Sequence, residues 1–382
     1  MRIAFVIRAL QAGGAETQLC LLATGLARRG HHVTVVTLYP GGLWWDKLLS
    51  DGTVTLTSVM KRGPLDLWRG VVRLRRLLIE GRHEVLYAFL FGGAIHAMAS
   101  SIRLPMRRVV GLRGSAIDFA AYGIRYRVAV YAGIAAANQA DQIIVNSGAG
   151  RDYYHSLGLR PGQSIVLPNG IDCDRFAPSE KARLAFRREN DLGDREFVVA
   201  VVGRLDPMKG HQDLLHACAQ LNVDAAVRIL MVGDGEPSYR RRLERLAEDL
   251  GLARKLSWLP IRGIIEQVYQ GSDVLCLPSR FGEGFSNVVG EAMACGTFPL
   301  VTDVGDSRHI VGDYGVVVPP CNPEALRLGL QQIASMSLDD RIRIGLEARR
   351  RIIAEFSASQ MIAATEAILE RARRTDGSHE GN

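Results

Sequence analysis

The sequence predicts an α/β protein of two doubly wound, mostly parallel sheets facing each other across a cleft, and three observations carry that expectation. Short β-branched runs alternate with longer segments of helical period along the whole chain. The 382 residues exceed one typical core and fit two domains of ordinary size. The periodicity breaks at Leu167-Pro168-Asn169-Gly170-Ile171-Asp172, where a Pro/Gly/Asp-rich passage runs on to Pro178.

Element by element, the first domain (1–168) opens with a strand at Ile3–Ile7, a helix over Ala15–Arg28 and a strand at Val33–Thr37. Strands at Val85–Phe89, Arg108–Leu112 and Gln142–Asn146 follow, with helices near 66–80, 92–101, 124–139 and 148–157. The second domain (169–357) repeats the series with strands at Phe197–Val202, Val227–Val232, Val274–Leu277 and Phe298–Val301. Its helices fall around 210–220, 238–250, 263–270, 286–295 and 339–354. A last helix, about 358–373, is expected to pack back on the first domain, and 375–382 to form a disordered tail.

Composition narrows the function. With 47% hydrophobic and 23% charged residues the chain reads as globular. Its apolar runs last one buried strand, far short of the roughly 20 residues that span a bilayer, and Met1–Ile7 is too short for a signal h-region. Six scattered cysteines without a C-x-x-C pair indicate neither zinc nor a disulfide framework, so a reducing cytoplasm is the expected location. Residues 1–168 carry 20 Lys and Arg against 9 Asp and Glu, and the remainder 27 against 31. The basic first half is expected to meet something acidic, either an anionic membrane surface or a phosphorylated acceptor. From Arg69 to Leu78, Arg69, Arg73 and Arg76 share one helical face, with Lys61 and Arg62 just before, while Val72, Leu74, Leu77 and Leu78 fall largely on another. The alternative is a core-packed helix with a solvated basic face. No zinc-finger spacing, RNP-like motif or clear helix-turn-helix pattern points to nucleic acid.

Chemistry concentrates in Pro278-Ser279-Arg280-Phe281-Gly282-Glu283-Gly284-Phe285-Ser286-Asn287-Val288-Val289-Gly290-Glu291, where two carboxylates stand eight positions apart around a glycine-rich helix entry. Gly282 and Gly284 let backbone approach a ligand, Ser286 is a candidate N-cap, and the helix start offers N–H groups to an anion. Val288, Val289, Ala292 and Met293 are expected to face the core, leaving Glu291 on the cleft side. One acid then accepts hydrogen bonds from sugar hydroxyls and the other from ribose hydroxyls. A capped surface helix with solvated acids is the plainer reading. Gly203-Arg204-Leu205-Asp206-Pro207-Met208-Lys209-Gly210 follows an apolar strand, which puts Arg204 and Lys209 at the carboxyl end of the sheet as a diphosphate clamp, or as two solvated cations. Gly13-Gly14-Ala15-Glu16 fills the first strand-to-helix turn; it is not G-x-G-x-x-G and no acid ends the second strand, which argues against a dinucleotide dehydrogenase.

On these segments, with Asn146-Ser147, Pro168-Asn169-Gly170-Ile171-Asp172, Glu291-Ala292-Met293-Ala294-Cys295-Gly296 and Thr302-Asp303-Val304-Gly305-Asp306, nearly the whole chain resembles the retaining glycosyltransferases of family 4, which share the two-domain GT-B architecture. The resemblance implies a UDP- or GDP-linked sugar donor, no cofactor and no metal. It implies that Arg204 and Lys209 hold the diphosphate, Glu283 touches the donor sugar and Glu291 holds the ribose. Gly14 then approaches the phosphate, Gly284, Phe285, Ser286 and Asn287 line the donor site, and Arg204, Lys209 and Glu283 carry catalysis. Attack on the front face, with the leaving phosphate taking the acceptor proton, assigns no side-chain nucleophile. The expected acceptor is a saccharide or lipid-linked saccharide in bacterial surface polysaccharide assembly (exopolysaccharide, capsule or O-antigen), at the inner face of the membrane. A glycoside phosphorylase, a sugar-nucleotide epimerase and a silent nucleotide-sugar-binding subunit are the alternatives. Two departures stand out. Arg113 occupies the region where many relatives carry a histidine, either near the acceptor or phosphate or as a structural surface arginine, and His309 stands where Glu is common. Glu16 lies toward the acceptor in relatives, or it answers the dipole of its own helix.

Overall fold

The computed structural model describes residues 1–374 apart from 12, 61, 64–65, 116–118, 224–225 and 261–264; at 119–122 and 372–374 it describes the backbone alone. The expected tail at 375–382, and Lys61, lie outside the described residues. The chain divides into two compact units, Met1–Gly170 with Ala358–Asn382, and Ile171–Ser357.

Unit 1 runs β1 (Arg2–Ile7), α1 (Gly14–Arg28), β2 (His32–Thr37), α2 (Leu43–Asp51), β3 (Thr55–Ser58), α3 (Leu67–Glu80), β4 (Val85–Phe89), α4 (Leu90–Ser100), β5 (Arg107–Leu112), α5 (Phe119–Ala137), β6 (Gln142–Val145), α6 (Gly148–Ser156) and β7 (Ser164–Val166). The parallel sheet has the order β3-β2-β1-β4-β5-β6-β7, so the winding reverses between β1 and β4. Alternation along β1 builds a core on each face: Ala4 and Val6 point into one, Ile3, Phe5 and Ile7 into the other. Helix α5 starts before the expected 124 and is interrupted at Gly123.

Unit 2 runs α7 (Glu180–Glu189), β8 (Phe197–Val202), α8 (His211–Ala219), β9 (Val227–Val232), α9 (Pro237–Asp249), β10 (Leu256–Leu259), α10 (Ile265–Gly271), β11 (Val274–Leu277), α11 (Asn287–Ala294), β12 (Phe298–Thr302), α12 (Ser307–Val311), β13 (Val316–Val318), α13 (Pro323–Ser335) and α14 (Leu338–Phe356). Its parallel sheet, β10-β9-β8-β11-β12-β13, reverses between β8 and β11, with Val274 opposite Val199 on one side and Phe298 on the other. This is the doubly wound topology, in which ligands sit at the carboxyl ends of the strands flanking the reversal. The final helix, α15 (Ala358–Arg374), belongs to unit 1: Met361 and Leu369 enter its core beside Leu19, Leu22 and Leu26, and Glu366 pairs with Arg29 and His31.

Four strands (β3, β7, β10, β13) and four helices (α2, α7, α12, α13) go beyond the sequence expectations. In α3, Leu74 and Leu78 are buried, but Val72, expected on the same face, is exposed. No disulfide forms among the six cysteines, and no described helix is long and apolar enough to cross a membrane.

Candidate functional site

The reversal between β8 and β11 gathers the predicted residues of unit 2. Behind β8, Gly203 leads into Arg204, and Asp206 accepts a hydrogen bond from Met208 N (3.0 Å) that shapes the single 3₁₀ turn Pro207–Lys209. Gly210 closes this turn at φ 65°, and a Cβ there would overlap the Pro278 carbonyl oxygen, so the loops after β8 and β11 fit only around a glycine. Arg280, hydrogen-bonded through its backbone N–H to Met208 O (2.7 Å) and doubly paired with Asp213 (2.7 and 2.6 Å), fastens the two loops together.

Lys209 Nζ lies 2.6 Å from Glu283 Oε1, which also accepts from Ser279 Oγ at 2.6 Å. Ser279 is itself fixed by Thr302 Oγ1, which donates to its carbonyl at 2.6 Å. Two residues read from sequence as separate ligand contacts therefore form one largely buried ion pair. Arg204 is the reverse: its side chain is 62% exposed and pairs with Asp206 at 3.0 Å, within the same loop.

Glu291 sits on α11, whose Val289, Ala292 and Met293 are buried while Val288 is half-buried. Ser286 occupies the N-cap position, but its hydroxyl makes no capping bond. Phe285 fills the core against Phe356, their ring centroids 5.3 Å apart, and Gly284 lends its carbonyl to Asp306 N (3.2 Å). Asn287 opens the helix. Burial pushes the half-buried Glu291 carboxyl up to about 7, against the opposing pull of the Tyr269 hydroxyl, which donates to Oε2 at 2.9 Å, and of Arg175. Arg175 pairs with Glu266. Tyr269, Glu266 and Arg175 lie outside the motif and had no local signal, because the fold brings them there from α10 and from the segment before α7.

In unit 1, Gly14 is exposed at the start of α1, and the Glu16 carboxylate folds back over Gly13; burial raises its pKa. Arg113 is half-buried. Its guanidinium stacks on Phe89 (4.8 Å) and donates to Asn169, and its carbonyl accepts from Tyr154 Oη at 2.9 Å. His309 is exposed and packs edge-on against Phe356. Among the described residues no group of three or more His, Cys, Asp or Glu side chains is placed to hold a metal.

The unit 2 arrangement, two cations and two carboxylates at the carboxyl end of a doubly wound sheet beside a helix start, suits a ligand with both anionic and polyhydroxyl parts. The family model described as glycosyl transferases group 1 matches residues 182–351, and that of glycosyltransferase family 4 matches residues 12–175. Among curated relatives, the D-inositol 3-phosphate glycosyltransferase of Mycobacteroides abscessus is 36% identical over 190 residues, 48% of this chain and 42% of the relative. That of Geodermatophilus obscurus is 31% identical over 257 residues, 63% of this chain and 56% of the relative. The chain thus spans about half the length of the curated relatives it matches. Anabaena HepE, solved in complex with UDP and also with UDP-glucose, shares the fold; the UDP complex has a TM-score of 0.85 at 21% identity, over 97% of this chain and 100% of that one. The two family models between them take in most of both units, and the chain belongs to the group 1, family 4 glycosyltransferases.

Proposed function

We propose that the chain is a retaining, metal-independent glycosyltransferase that moves a sugar from a UDP- or GDP-linked donor to a saccharide or lipid-linked saccharide acceptor in surface polysaccharide assembly, with no cofactor beyond the donor. The observation that carries this reading is the meeting of Lys209 and Glu283, 74 residues apart in sequence, at 2.6 Å beside the sheet reversal. An ammonium has three donors, so Lys209 can hold Glu283 with one and take a diphosphate oxygen with another. Arg204, exposed on the same loop, supplies the fork for a second oxygen. Both cations oppose the charge that grows on the leaving oxygen, which is the role a metal fills in other enzymes. The start of α11 offers backbone N–H groups to the same anion, Gly284, Phe285, Ser286 and Asn287 line it largely through backbone groups, the Phe285 ring itself lying in the core, and Glu291 accepts from the ribose. In unit 1, Gly14 is the candidate phosphate contact and Glu16 and Arg113 are the candidate acceptor contacts, Arg113 also fixing Asn169.

HepE, bound to UDP and UDP-glucose, supports the donor class. The names of the curated relatives favour a second acceptor, a phosphorylated polyol, which the basic first half of the chain also suits. Incubation with UDP-glucose or a GDP-hexose, chelator and either acceptor class, followed by NMR of the product's anomeric proton, tests the reading. Retained configuration in the presence of chelator is expected; an inverted product, or activity abolished by chelation, contradicts it.

A further inference from the structure

Glu291 rests on a residue that the motif does not contain. Tyr269, on α10, is fully buried, and its ring lies 6.0 Å from that of Phe176. Its backbone carbonyl accepts from Thr297 Oγ1 at 2.7 Å, which ties α10 to the turn before β12. With ring and backbone both fixed, its hydroxyl is aimed at a single acceptor and donates to Glu291 Oε2 at 2.9 Å. Among the described residues it is the one hydrogen-bond partner of the Glu291 side chain.

We propose that Tyr269 is a positioning residue of the nucleotide site: by occupying Glu291 Oε2 from beneath, it fixes the carboxylate plane and commits Oε1 to accept from a ribose hydroxyl. The inference rests on the donor reading above and deepens it. A carboxylate on a half-buried helix turn has rotamer freedom about its last bond, and a buried phenol hydroxyl removes it at no cost in bulk. Discrimination between ribose and deoxyribose then depends on Tyr269, although Tyr269 never touches the nucleotide. A site built to accept from a hydroxyl leaves a polar group unpaired when that hydroxyl is missing, which makes the preference measurable.

The test is calorimetric. Whichever of UDP or GDP the full-length protein binds is compared with its 2′-deoxy and 3′-deoxy forms, using wild type, Tyr269→Phe, Glu291→Gln and the double variant. Wild type is expected to prefer the ribonucleotide over at least one deoxy form by about 10-fold or more. Tyr269→Phe should lose most of that preference, with its affinity for the poorer deoxy form unchanged. On the Glu291→Gln background, Tyr269→Phe should cost nothing further, because the two act as one unit. Equal losses for all forms, or additive losses in the double variant, overturn the proposal and reduce Tyr269 to a packing residue. If Tyr269→Phe unfolds, the ribose preference of Glu291→Gln decides: a preference kept in that variant removes the carboxylate that Tyr269 is held to position. Absence of nucleoside diphosphate binding by wild type sinks the donor reading itself, a failure separate from this one.

Discussion

Lys209 and Glu283 neutralise each other in the structure, and one pairing leaves the ammonium further N–H groups with which the proposed donor could bond while the pair stays intact. The pair also shows why a buried carboxylate is tolerated there: Ser279 and Lys209 both donate to it. Glu291 instead rests on a neutral phenol, and its titration carries a consequence for stability. Burial holds its folded pKa near 7, above the usual value of 4.5. Between about pH 4.5 and 7 the native state keeps a proton that the unfolded chain releases, so stability falls as pH rises through this window and is level above it. The full shift corresponds to at most about 3 kcal/mol, and partial solvation of the carboxylate reduces it. Urea unfolding at pH 5 and pH 8 should show a larger drop for wild type than for Glu291→Gln; equal drops contradict the burial argument. Arg204, Lys209, Glu283 and Glu291 were legible in the sequence because each lies within a short stretch after a strand's carboxyl end, where local pattern and position coincide. Tyr269 was not, since a contact across 22 residues leaves no local trace.

Among elements, the missed strands follow position in the sheet. The four unanticipated strands, β3, β7, β10 and β13, are the four edges of the two sheets. Central strands such as β8 are buried on both faces and read as apolar runs, whereas Thr55–Ser58 and Leu256–Leu259 are half-exposed and carry no such run. Loops between central elements carry the tightest constraints. Gly305, in the turn between β12 and α12, has φ 62°, and a Cβ there would overlap the carbonyl oxygens of Glu283 and Gly284. Gly305→Ala should therefore shift the Glu283 segment, lowering turnover by about 100-fold while costing on the order of 1–3 kcal/mol of stability. Parallel measurement of kcat and urea stability checks this. Unchanged turnover would mean that the placement of Glu283 does not limit the reaction.

The molecule as a whole carries its positive excess in residues 1–168. Helix α3 combines Arg69, Arg73 and Arg76 with exposed Trp68 (76%), Val72 and Ile79. The structure thus separates Val72 from buried Leu74 and Leu78, and leaves exposed a tryptophan, a side chain suited to a lipid interface. Co-sedimentation with anionic vesicles, weakened by salt and several-fold by Trp68→Ala, is expected, with neutral vesicles retaining little protein; equal binding to neutral vesicles contradicts the electrostatic part. The central claim is that unit 2 holds the diphosphate of a sugar nucleotide through Arg204 and Lys209. Calorimetric titration with UDP, GDP and NAD, at matched ionic strength and in chelator, tests it most directly. The expected result is binding of a nucleoside diphosphate that Arg204→Ala weakens by about 10- to 100-fold. Binding of NAD alone, or nucleoside diphosphate affinity indifferent to Arg204→Ala, would contradict it.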